Sequence, residues 1–149
     1  MDKTVLAYIK NKDSYLMLFR NKKKNDINEG KYVGIGGHIE LGESPEEAVV
    51  REVKEETNLD LTSYELRGKL YFESDGYEEM IYLYTGEASG NLSECDEGEL
   101  SYIPIEKVRD YKMWEGDYFF LRLIEKDEPY FELTLEYLDD KLIKITRTL

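Results

Sequence analysis

Cysteine is almost missing from this sequence: Cys95 stands alone among 149 residues, which excludes an internal disulfide and any cysteine-rich metal site. Redox chemistry is set aside with it. Proline occurs three times, and no low-complexity stretch marks a linker or a disordered segment. No run approaches the roughly 20 apolar residues of a membrane span. The opening "MDKTVLAYIK" has neither a basic start leading into an apolar stretch nor a small-residue cleavage site. The expectation is a soluble, cytoplasmic protein that binds no membrane. Positive charge is also short, with 20 Lys and Arg against 33 Asp and Glu and a net charge of −13. Duplex nucleic acid is therefore not an expected partner, because such affinity comes from Lys and Arg neutralising phosphates. An acidic chain can still handle a phosphorylated small molecule if divalent cations sit between its carboxylates and the phosphates.

What is present suits one domain over residues 1–149, with 41% hydrophobic residues and thirteen tyrosines. "TVLAYIK" and "SYLMLFR" read as two strands joined at "NKD". The polar "NKKKNDINEG" reads as a loop leading into the short run "KYVGIG". "YELRGKLYFES" and "YEEMIYLYTGEA" read as a hairpin around Asp75-Gly76, and "LSYIPIEKV" as a further strand. A second helix is expected from Asp117, a preferred N-cap residue, with Phe120, Leu121, Leu123 and Ile124 on its apolar face. "YFELTLEYL" and "KLIKITRTL" close the chain as strands joined at Asp139 and Asp140. Intermixed strands and helices with hairpins at both ends predict an α/β fold whose mixed sheet is covered by helices.

The informative stretch is "GIGGHIELGESPEEAVVREVKEETNL". Ser44, Pro45 and Glu47 form a capping-box start, and Asn58 tolerates the left-handed conformation of a helix stop. The helix Pro45 to Thr57 spans about 20 Å. At 100° per residue Glu55 lies about 60° behind Glu52 and Glu56 about 40° ahead, so the three share one face. Val49, Val50, Val53 and Thr57 are expected to pack on the sheet, with Ala48 leaving space on the acidic face. Like charges at this spacing repel. A hard cation such as Mg²⁺ would offset that, whereas a solvated face threaded by Arg51 ion pairs would need none. The glycines before the helix form a tight loop where backbone can approach a ligand.

Gly37, Glu43, Arg51-Glu52-Val53, Glu55-Glu56 and Asn58-Leu59, at these spacings, resemble the Nudix box of the Nudix hydrolases. Asn58 stands where that family has glycine. The resemblance implies an α/β/α sandwich with a mixed sheet and a C-terminal β-hairpin. It implies Mg²⁺, with Mn²⁺ as a substitute, held by Glu52, Glu55 and Glu56 with the Gly36 carbonyl and Glu97 as further ligands. Glu43 and Arg51 would orient the loop and helix. The base would be Glu55, Glu56 or Glu97, and the reaction attack by a metal-activated water on a diphosphate.

The C-terminal third, from "DEGELSYIPIEKV" through "MWEGDYFFLRLIEKD" to the end, resembles the 8-oxo-dGTP diphosphatases of that family. Trp114 and Asp117 match that group's base-pocket positions, and Glu97 its loop carboxylate. Gly116 replaces a second aspartate, and Val33 an asparagine of the strand before the box. The resemblance thus implies a nucleoside di- or triphosphate as the partner, with Trp114 stacking on a purine and strict selectivity weakened at Val33. Gly36, Gly37, His38 and Tyr8 are further candidates for substrate contact, and Lys22, Lys23 and Lys24 for steering a polyphosphate. ADP-ribose, nucleotide sugars and dinucleoside polyphosphates are rival substrates, and a nucleotide sensor without catalysis is the rival class. The oligomeric state is open.

Overall fold

The computed structural model describes all 149 residues. Nine strands form one mixed sheet with one long helix on each face. Strands β1 (Asp2–Asn11) and β2 (Ser14–Phe19) make the opening hairpin, in register from Ile9 opposite Leu16 to Asn11 opposite Ser14. Side chains alternate along a strand. Val5, Ala7 and Ile9 of β1 and Leu16 and Leu18 of β2 therefore enter one core, while Tyr8, Tyr15 and Met17 enter the other. Apolar character on both faces marks these as central strands covered twice.

Strands β3 (Tyr32–Val33) and β4 (Ile35–His38) follow, and β4 pairs antiparallel with Thr4–Ala7 of β1. Helix α1 runs from Pro45 to Thr57 with both capping-box hydrogen bonds formed. Asn58 closes it at φ 67°, so the residue that departs from glycine keeps the left-handed stop. Strands β5 (Asp60–Ser74) and β6 (Tyr77–Ser89) form the long hairpin, and β5 starts four residues before Tyr64. Asp75 and Gly76 have φ of 48° and 88°, the left-handed pair required by a tight hairpin turn. Strand β7 (Glu99–Pro104) pairs with β2, helix α2 covers Glu115–Glu125, and β8 (Phe131–Leu138) and β9 (Lys141–Arg147) close the chain as a hairpin. The order β3-β2-β1-β6-β5-β8-β9, with β1–β6 and β5–β8 parallel, is the expected mixed sheet.

Four expectations need correction. The strand over "LSYIPIEKV" stops at Pro104, which has no N–H to continue a ladder, and the chain turns into a 3₁₀ segment over Ile105–Asp110. Helix α2 starts two residues before Asp117, because the Tyr137 hydroxyl accepts the Gly116 N–H at 2.7 Å and replaces a side-chain cap. Val50 is 40% exposed and Ala48 is fully buried, so the packed stripe of α1 is Ala48, Val49, Val53 and Thr57. Burying Val49 and Val53 contributes about 1.5–3 kcal/mol each and fixes how the acidic face is presented. Gly36 and Gly37 lie within β4 rather than in a loop.

Candidate functional site

The glycines of β4 allow two close approaches. A Cβ on Gly36 would lie 1.9 Å from the Val5 carbonyl oxygen, so only glycine lets β4 pair this closely with β1. A Cβ on Gly37 would lie 2.5 Å from the Glu52 carboxyl carbon. The space beside Gly37 is thus filled by a carboxylate from α1. Gly37→Ala should fold, because a flexible side-chain end can give way. It should lower turnover about 100-fold, the usual consequence of a misplacement near 1 Å. Melting temperature and rate measured together would separate the two effects.

Arg51 organises the flank of this site. It grips Glu43 with two hydrogen bonds, Nε at 2.7 Å and Nη2 at 2.9 Å, and reaches Glu52 at 2.8 Å, Glu55 at 3.2 Å and the His38 carbonyl at 3.0 Å. Such a forked pair needs guanidinium geometry. The Arg51 hydrogen bonds, helped by the Glu40 N–H, hold the Glu43 carboxyl down to about 2. Glu47 is committed to the capping box and takes no part.

A cavity of about 790 Å³ opens along β4 and the acidic face of α1. Glu52, Glu56 and Glu97 line it with Gly36, Gly37 and His38, and so do Val33, Trp114 and Asp117. Glu43, Arg51, Glu55 and Tyr8 are not among its walls. Glu55 is 59% exposed at its side chain. Desolvation pushes the Glu56 carboxyl well above the usual carboxylate range, the neighbouring Glu97 carboxyl adds to the shift and Glu52 adds repulsion. Desolvation also raises Glu52, against the pull of Arg51. The Gly36 N–H donates to Glu56 at 3.3 Å, and Arg20 answers Glu97 at 3.1 Å. No three acid side chains form a ready-made metal cage. Crowded carboxylate oxygens short of counter-charge still fit Mg²⁺, which keeps several waters and needs only one or two carboxylates besides phosphate oxygens.

Around Trp114 the structure departs from expectation at one residue, Tyr8. Trp114 lines the cavity yet is only 5% exposed. Phe72 and Tyr137 meet it edge-to-face, and the Lys31 ammonium sits 4.3 Å over its ring. Asp117 lies in the first turn of α2 facing the cavity, and burial pushes its carboxyl up to about 8 against the opposing pull of Lys31. Tyr8 is core rather than wall: it is fully buried and its hydroxyl finds no hydrogen-bond partner. Val33 does line the cavity. His38 is exposed at the rim, 3.6 Å from Asp2. Of the three lysines Lys23 reaches the cavity, while Lys22 donates to the Cys95 carbonyl.

Arg20, Asp26, Asn28 and Lys31 are site residues that sequence reading missed. Arg20 binds Asp26 at 2.7 Å, the Asn28 N–H donates to Asp26 at 3.2 Å, and Trp114 Nε1 donates to Asn28 Oδ1 at 2.7 Å. A chain of contacts therefore joins Glu97 to Trp114 across the cavity. Nothing in the polar run "NKKKNDINEG" announces these partners, since they lie as far as 86 positions away.

Fold and site together define a class of protein: an α/β/α sandwich in which a glycine-bearing strand and an acidic helix face share one cavity. A family model described as the NUDIX domain matches residues 2–124, and the chain belongs to the Nudix family. It is 30% identical over 105 residues to "Oxidized purine nucleoside triphosphate hydrolase" of Danio rerio, covering 68% of this chain and 67% of that protein. It is likewise 30% identical over 132 residues to "Uncharacterized Nudix hydrolase YvcI" of Bacillus subtilis, covering 77% and 84%. A solved MutT structure from Bacillus halodurans has the same fold, with TM-score 0.88, 99% and 98% coverage and 23% identity. This is a MutT-like Nudix hydrolase, and hydrolases of that family generally use divalent metals such as Mg²⁺. No helix is long and apolar enough to cross a membrane.

Proposed function

We propose that this chain is an Mg²⁺-dependent nucleoside triphosphate diphosphatase that releases a nucleoside monophosphate and pyrophosphate, with oxidised purines such as 8-oxo-dGTP preferred. Its role would be sanitation of the nucleotide pool. The observation that carries the reading is the single cavity joining Glu52, Glu56 and Glu97 to Trp114 and Asp117. Its acidic and its aromatic walls can take polyphosphate and base at once. The name of the zebrafish relative supports the substrate class.

In this reading Glu52, Glu56 and Glu97, with Glu55 from the exposed side and the Gly36 backbone, would hold Mg²⁺, or Mn²⁺ in its place. The bound cation would supply an activated water and stabilise the leaving phosphate. Glu56 or Glu97 takes the proton of the attacking water. Arg51 and Glu43 keep β4 and α1 in register, with Gly37 admitting Glu52. Trp114 and Asp117 bound the base, and His38 stands where the phosphates enter. Product analysis tests this. Chromatography after incubation with 8-oxo-dGTP and Mg²⁺ should show monophosphate and pyrophosphate in equal amounts. Preferential cleavage of ADP-ribose or a dinucleoside polyphosphate would overturn the substrate class while leaving the chemistry. Binding without any cleavage would indicate a sensor.

A further inference from the structure

The loop between β2 and β3 is pinned rather than free. Arg20 N–H donates to the Lys31 carbonyl at 3.0 Å, Gly30 N–H to the Arg20 carbonyl at 2.8 Å, and Lys31 N–H to the Asn28 carbonyl at 3.0 Å. The Asp26 carboxylate binds both Arg20 Nε and the Asn28 N–H. Asn28 is thus held at the cavity wall from both sides of its own backbone.

Its side chain is oriented as well. An indole N–H can only donate, so the 2.7 Å contact from Trp114 Nε1 fixes Oδ1 as the acceptor and turns the amide nitrogen the other way. Neither N–H of that amide has a protein acceptor, although the N–H and the carbonyl of Asn28 itself are both engaged. The residue lines the same cavity as Asp117. Val33, from the neighbouring strand, gives the base edge nothing polar.

Resting on the nucleotide reading above, we propose that Asn28 is a base-reading residue whose amide N–H donors take a carbonyl oxygen on the edge of an oxopurine. An amino group at that edge would bring donor against donor and leave both unpaired. Loss of one such bond with an unsatisfied partner corresponds to about a 10- to 100-fold preference.

Asn28→Asp separates this role from a structural one. The aspartate keeps an oxygen for Trp114 Nε1 but replaces the donor by an acceptor. Wild type, N28D and N28A would be compared for kcat/KM on 8-oxo-dGTP, dGTP and dATP with Mg²⁺, and for calorimetric binding of the matching monophosphates. Ratios between purines cancel the added charge of N28D. The expected result is a shift of N28D toward dATP by about 10- to 100-fold, with a near-native melting temperature and with N28A weakening the oxopurines without gaining dATP. Unchanged ratios in both assays, in a wild type that cleaves purine triphosphates, would overturn the role of Asn28 alone. A wild type that cleaves no triphosphate yet shows the shifted binding ratio would overturn the diphosphatase reading and support Asn28. Absence of both would overturn both.

Discussion

Glu56→Gln is expected to lower kcat by about 10²–10⁴-fold at saturating Mg²⁺, the range for loss of a positioned acid–base group, while leaving the fold intact. The fold survives because glutamine is nearly the shape of the protonated acid, the form that burial beside Glu97 and Glu52 favours at Glu56. Its melting temperature should equal or exceed that of wild type, since an acid crowded by Glu97 and Glu52 is removed. Glu55→Gln provides the contrast. Glu55 is exposed and lies outside the cavity walls, so its loss should cost less than that of Glu56. Equal loss in the two variants would mean that the helix face, not the cavity, carries the chemistry. Steady-state rates across a Mg²⁺ titration distinguish weakened metal binding, which excess Mg²⁺ restores, from loss of the proton acceptor, which it does not.

Asp117→Asn is expected to stabilise the protein at neutral and alkaline pH. The Asp117 carboxyl lies near 8 in the fold because burial disfavours its charge, whereas in the unfolded chain it ionises near about 3.9. Between those values the folded state holds a proton that the unfolded state has lost. Stability therefore falls as pH rises from about 4 to about 8 and levels off above, with no contribution below the unfolded value. The loss is on the order of a few kcal/mol, or roughly ten degrees of melting temperature for a chain of this size. Melting curves of wild type and D117N should diverge progressively across that window, and parallel curves would contradict a buried acid at this position. Retaining a destabilising acid beside the cavity fits a residue kept for its ligand. D117N should then also narrow the rate difference between 8-oxo-dGTP and dGTP.

Local chemistry made part of this molecule readable. Ser44, Pro45, Glu47 and Asn58 placed both ends of α1 because capping needs only near neighbours. Asp75-Gly76 placed the long hairpin for the same reason. The acidic face followed from helical period alone, and the box resemblance gave its residues their expected roles. Long-range packing was hidden. Tyr137 reaches the N-terminus of α2 and moves its start ahead of Asp117, a contact across 21 positions that no local pattern encodes. Val50 and Ala48 exchange their expected places because the sheet meets α1 along a line one residue over. Tyr8 obeyed strand alternation but points into the core beneath the cavity. The Arg20–Asp26–Asn28–Trp114 chain combines a loop and a helix start, and only the folded arrangement shows it.

The most direct measurement is a panel of initial rates with Mg²⁺ for wild type and Glu56→Gln side by side, on 8-oxo-dGTP, dGTP, dATP and ADP-ribose. Pyrophosphate release from 8-oxo-dGTP well above the other three, and abolished in the variant, is the predicted result. Equal rates on wild type and variant, or ADP-ribose as the favoured substrate, would contradict it.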